Sequence, residues 1–172
     1  MIIHKFLGGF FLFGLLVLQT AAQVDAVSKE AGTGELYRLV GRWVGEGTSD
    51  GEKVRDEMRC EWIHGNRFLK LHYRATDGDD YSGEGYLRYN PERKLYEYWE
   101  FNNGRWPVRQ WTGNWVKDRF VFSEDRKDLR IQLTMEFVSA DSIKMSENYV
   151  RGDKLELFVS LTFRRDTKAS PR

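Results

Sequence analysis

Residues 54–62 read VRDEMRCEW, and the two interleaved sets within them decide the fold. Val54, Asp56, Met58, Cys60 and Trp62 make one set, mostly apolar. Arg55, Glu57, Arg59 and Glu61 make the other, wholly charged. Successive side chains of a strand leave on opposite faces, so a period of two separates a core face from a wet one. The pattern recurs along the chain. Leu69, Leu71, Tyr73 and Ala75 alternate with Lys70, His72 and Arg74; Leu129, Ile131, Leu133, Met135 and Phe137 alternate with Arg130, Gln132, Thr134 and Glu136. Ile143, Met145, Glu147 and Tyr149 make another such face, and Leu155, Leu157, Val159, Leu161 and Phe163 a last one. Stretches 81–89, 95–101, 108–116 and 119–123 are strand-like with aromatics on both faces, which leaves their orientation open.

The punctuation between these runs is short. Asp50-Gly51, Asp77-Gly78 and Asn103-Gly104 are hairpin dipeptides, and Asn90-Pro91 starts a turn. Glu35 to Val40 has room for one helical turn, and no helical pattern is long enough to cover a sheet face. About ten successive antiparallel strands, each with one apolar face, are satisfied most simply by closing the sheet on itself. The expected fold is therefore all-β: a single up-and-down antiparallel barrel of about ten strands over residues 35–166, with a two-sheet sandwich as the alternative. Eight or more strands leave room for a small ligand.

Composition narrows the classes. The chain has 172 residues, enough for one domain. At 41% hydrophobic and 15% aromatic it is not intrinsically disordered. A formal charge of +1 gives no electrostatic reason to expect nucleic acid as a partner. One cysteine excludes an intrachain disulfide and a Cys-based zinc site, and no other metal site is indicated.

Residues 1–22, MIIHKFLGGFFLFGLLVLQTAA, read as a signal peptide. Lys5 precedes a thirteen-residue apolar run, Phe6 to Leu18, which suits an export signal and is short for a membrane span. Thr20 and Ala22 fit cleavage before Gln23, and Val24 and Ala26 offer a second site. Residues 23–34 are small and polar, a linker; 167–172 read as a disordered tail. The expected location is secreted or periplasmic, with no membrane contact after cleavage.

Gly41-Arg42-Trp43-Val44-Gly45-Glu46-Gly47 resembles the Gly-x-Trp-x-Gly-x-Gly opening of calycin-like barrels, nitrobindin-type and lipocalin-like ones in particular. Glu84-Gly85-Tyr86-Leu87-Arg88 is similar to a second stretch of that group. Leu39-Val40-Gly41-x-Trp43 with Tyr89-Asn90-Pro91, after a signal peptide, resembles an uncharacterised bacterial family of secreted calycin-like domains. Over residues 36–165 the resemblance implies the barrel and leaves function unassigned. Nitrobindins hold haem through a histidine near the C-terminus. The final strand here, Leu155 to Arg165, has none, His72 falls on a charged face, and His64 lies in a turn, so haem is disfavoured and no cofactor is expected. In lipocalin-like barrels a basic side chain from late in the chain covers the motif tryptophan. Arg165 shares the parity of Leu161 and Phe163, so the resemblance implies that Trp43 and Arg165 meet and close the barrel, with Arg164 outside.

Enzyme signatures such as Gly-x-Ser-x-Gly, His-Glu-x-x-His and Gly-x-x-x-x-Gly-Lys are absent. Cys60 alternates inward as a buried thiol. Two carboxylates, Asp56 and Glu147, sit on apolar faces, where burial is costly unless they are paired. Counting turns puts both near one end of the barrel, together with Arg109 if its strand points it inward, and with Tyr149. The loops there are Asp50-Gly51, Asp77-Gly78, Asn102 to Pro107, Glu124 to Asp128 and Arg151 to Asp153. Such a group is either a polar patch at a pocket mouth or an internal ion pair. Trp106 lies in a loop at the same end, as a portal or as a lid. The leading expectation is a barrel that binds a small, mainly apolar molecule through Asp56, Glu147, Arg109, Trp106 and Tyr149. The alternatives are an enzyme using the interior carboxylates, and an assembly module with a filled barrel and an unidentified protein partner.

Overall fold

The computed structural model describes residues 32–78 and 80–168. The proposed signal peptide, most of the linker and the end of the tail lie outside them. Ten strands follow one short helix, α1 (Gly34–Tyr37). They are β1 (Gly41–Ser49), β2 (Glu52–Ile63), β3 (Phe68–Ala75), β4 (Ser82–Asn90), β5 (Leu95–Asn102), β6 (Val108–Val116), β7 (Arg119–Arg126), β8 (Leu129–Ser139), β9 (Ser142–Arg151) and β10 (Lys154–Arg165). Each pairs antiparallel with its neighbours in sequence, and β10 pairs with β1, so the sheet is a closed up-and-down barrel. Closure leaves no sheet edge.

The barrel is filled unevenly. Trp43, Trp111, Phe120, Phe122, Phe163, Leu69, Leu71 and Leu87 are all buried in its interior. Below them α1 and the segment after it seat Leu36 and Leu39 in the end of the barrel. Trp43 Nε1 donates to the Leu39 carbonyl at 2.8 Å, and the Tyr96 hydroxyl donates to Glu35 at 3.2 Å, which ties the helical turn to the barrel floor. Among the described residues no helix is long and apolar enough to cross a membrane.

The strands with aromatics on both faces now have an orientation. Tyr96, Tyr98 and Glu100 of β5 are buried, and so are Arg109 and Trp111 of β6 and Phe120, Phe122 and Glu124 of β7. The aromatics on the other face pack outside the barrel instead. Phe68 lies 6.3 Å from Trp99, and the Arg88 guanidinium lies 5.5 Å from each ring.

Two expectations are corrected. The last strand does not keep its parity. A register shift between Leu157 and Val159 marks a bulge at Phe158. A bulge sets two residues against one and reverses facing beyond it. Leu155 and Leu157 are therefore more than half exposed, while Phe158 packs inward. Glu124 is also not a loop residue. β7 continues to Arg126 and the turn is shortened, because Glu124 is held inside by two arginines.

Candidate functional site

The end of the barrel opposite α1 is open. A cavity of about 260 Å³ lies there, lined by Val54, Asp56, Tyr81, Trp106, Arg109, Met145, Glu147, Tyr149, Phe158, Val159 and Leu161, with Asp50, Asn102 and Arg105 at its rim. A deeper lobe of about 50 Å³ adds Tyr73, Tyr98 and Glu100, and shares Asp56, Tyr81, Met145 and Glu147 with the main space. The volume is at the small end of ligand sites.

The polar floor is built around Arg109, which is 5% exposed. β6 turns it inward because it shares a face with Trp111. Its NH1 and NH2 donate to the two carboxylate oxygens of Glu147 at 3.2 and 2.8 Å, and its Nε donates to Glu124 at 3.1 Å. Glu100, its cross-strand partner, lies 3.8 Å from NH1. Arg126 donates to the other oxygen of Glu124 at 2.6 Å. Glu100 accepts hydrogen bonds from the Tyr73 hydroxyl at 2.8 Å, Asn102 Nδ2 at 2.8 Å, the Tyr81 hydroxyl at 3.4 Å and Trp111 Nε1 at 3.2 Å. Three carboxylates and one guanidinium are thus buried as a connected network, the arrangement in which buried charge is tolerated.

The network shifts its members. Burial pushes Glu147 above the usual carboxylate range, Arg109 pulls it back, and Glu100 and Glu124 add to the rise. Arg109 is desolvated too, yet the attraction of Glu147 and Glu100 holds it firmly charged. Tyr73 and Tyr81 are raised far above the ordinary phenol value, first by burial, then by Tyr98 and Glu100 at Tyr73 and by Glu100 and Glu147 at Tyr81, so both stay neutral donors.

Asp56, Glu147, Arg109, Trp106 and Tyr149 all line the same cavity. Trp106 folds inward as a lid. Its ring meets Tyr149 edge-on at 6.5 Å, and the guanidinium carbons of Arg126, Arg105 and Arg109 lie 4.9, 5.3 and 5.5 Å from its centroid. Trp43 and Arg165 lie at the far end of the barrel, away from this space. Sequence reading missed Glu100, Glu124, Tyr81 and Phe158. The first two have a signal: in Tyr96-Tyr98-Glu100 and Phe120-Phe122-Glu124 a carboxylate ends an aromatic face at i, i+2, i+4. Phe158 has none, because a bulge leaves no trace in hydropathy.

His64 and His72 are both exposed, and neither lines the cavity. Among the described residues no histidine faces the interior. Cys60 is buried and lines neither the cavity nor its lobe, and burial raises its thiol far above the ordinary value. Among the described residues no three His, Cys, Asp or Glu side chains are grouped to hold a metal ion.

No family model matches the chain, and no curated protein is similar to it in sequence. Among solved structures it is similar to the S-type phycobiliprotein lyase of Guillardia theta, with a TM-score of 0.53 and 13% identity over 83% of this chain and 97% of that one. The fold is that of a calycin-like barrel.

Proposed function

We propose that this protein is an exported calycin-like carrier, of the secreted kind its opening motif resembles, that encloses one small amphipathic molecule at the open end of its barrel. The apolar body lies against Tyr149, Phe158, Val159, Leu161 and Met145, under Trp106. The polar end points to Asp56, Tyr81 and Glu147. One observation carries the reading: the barrel is packed with buried apolar side chains at its lower end, yet keeps a lidded space above an ion-paired floor. An assembly module has no use for that space. Haem with a histidine ligand, nucleic acid and membrane are not among the proposed partners.

Acid–base catalysis is the second reading, favoured by the raised Glu147 carboxyl beside Tyr81. It ranks lower because both oxygens of Glu147 are held by Arg109, which restricts its movement toward a substrate proton.

Native mass spectrometry of the protein recovered from its own host tests the proposal. A co-purifying mass is expected, reduced in Asp56→Ala and Glu147→Ala and kept in exposed Glu57→Ala. Visible absorption of the same sample covers a pigment of the class in the structural neighbour's name. A protein with no bound mass, whose variants change only in melting temperature, makes the network structural.

A further inference from the structure

We infer that the polar end of the enclosed molecule is a protonated amine or similar cationic N–H donor, and not a carboxylate. The inference rests on the carrier reading above and names its ligand class.

An arginine in an apolar pocket ordinarily suggests an anionic ligand. Here the arginine is already engaged. Of the guanidinium of Arg109, Nε serves Glu124 and both terminal nitrogens serve Glu147. One flat face lies 4.1 Å from the Trp111 ring. A guanidinium has five donors in a fixed fork and no acceptor; Glu147 occupies its end and Glu124 holds Nε, so a ligand carboxylate gains a two-pronged grip only by displacing one of them. That would leave a buried carboxylate without its partner, the costly outcome for an internal ion pair. Arg126 binds Glu124 and the Val108 carbonyl through one terminal nitrogen, and its buried Nε has no hydrogen-bond partner among the described residues, but Arg126 does not line the cavity or its lobe. Arg105 has no ion pair among the described residues, but it is exposed at the rim, where a pair gains little.

Acceptors, by contrast, are in surplus. A carboxylate offers about four lone-pair positions. Glu100 already receives four donors, three of them on one oxygen. Glu147 accepts only the two bonds from Arg109 that the structure records, and with Asp56 it borders both the main cavity and its deeper lobe. The charge count agrees. Asp56 aside, Asp50, Glu100, Glu124 and Glu147 stand on or behind the cavity wall against Arg105, Arg109 and Arg126, an excess of one negative charge. The stacked rings of Tyr149 and Phe158, 4.2 Å apart, add an aromatic wall, which attracts a cation more than it does an anion.

Calorimetric titration of the purified exported protein with n-octylamine, 1-octanol and octanoate at pH 7 tests this. The tails are equal, so only the head group varies. The amine is expected to bind at least tenfold more tightly than octanoate, with the alcohol between. Asp56→Asn and Glu147→Gln should each reduce the amine's advantage over the alcohol severalfold while alcohol binding persists; exposed Glu57→Gln should leave it unchanged. Octanoate binding as well as the amine, or an amine preference that survives both interior variants, overturns the inference and leaves the carrier reading standing. Failure of all three probes to bind overturns both.

Discussion

The guanidinium of Arg165 lies 4.2 Å over the ring of Trp43, and the two residues are direct cross-strand partners at the β10–β1 seam. The same guanidinium donates to the carbonyls of Val40 at 2.6 Å and Arg38 at 3.1 Å, and its Nε to Asp141 at 3.1 Å. One side chain thus joins the last strand, the first strand and the segment after α1 at the point where the sheet closes.

A double-mutant cycle of Trp43→Phe and Arg165→Met is expected to give a coupling of about 0.5–2 kcal/mol in denaturant unfolding. Arg164→Met, on the exposed face, should change stability by less than about 0.5 kcal/mol. Zero coupling removes the seam role.

Gly47, last glycine of the opening motif, faces the backbone of β10. A Cβ there would overlap the carbonyl oxygen of Ser160, which has no free side chain to move aside. Gly47→Ala should cost about 3 kcal/mol, toward the upper end of overpacking effects. Gly34→Ala meets no atom within 4 Å at the start of α1 and should be neutral, or stabilising by up to about 1 kcal/mol. Equal midpoints for the two variants in urea would contradict the close seam.

Glu97 is buried on the outer surface of β5. Burial pushes its carboxyl up, but hydrogen bonds from Arg88, Asn90 and Arg93 outweigh that and hold it below the usual value of 4.5. A depressed folded value means stability present above the unfolded value and lost as pH falls through the folded one. Glu97→Gln should therefore cost about 1–2 kcal/mol at pH 7, kept small because Arg88 and Arg93 remain partly in water. The deficit should shrink as the pH drops below about 4. A deficit independent of pH between 3 and 7 would show that charge is not its origin.

N-terminal sequencing of exported protein is expected to begin at Gln23, or at Val27 if the second site is used. Recovery of protein that starts at Met1 and stays with membranes would reverse the proposed location.

Alternation by itself determined the all-β class, the number of strands and their up-and-down order, because a period of two is local and survives without knowledge of any partner strand. It also put Asp56 and Glu147 at one level and Trp43 opposite Arg165, since turn counting along a meander fixes which ends coincide. Three things were decided only by closure of the barrel. The facing of β5, β6 and β7 needed the pairing, because outer aromatics such as Trp99 disguise the period. The bulge at Phe158 arises from the fit between β9 and β10, so Leu155 and Leu157 turn outward against their hydropathy. The joining of Glu100, Glu124 and Glu147 around Arg109 spans four strands and up to 38 residues of sequence between the bonded partners. No local pattern carries that distance; the curvature of the closed sheet does.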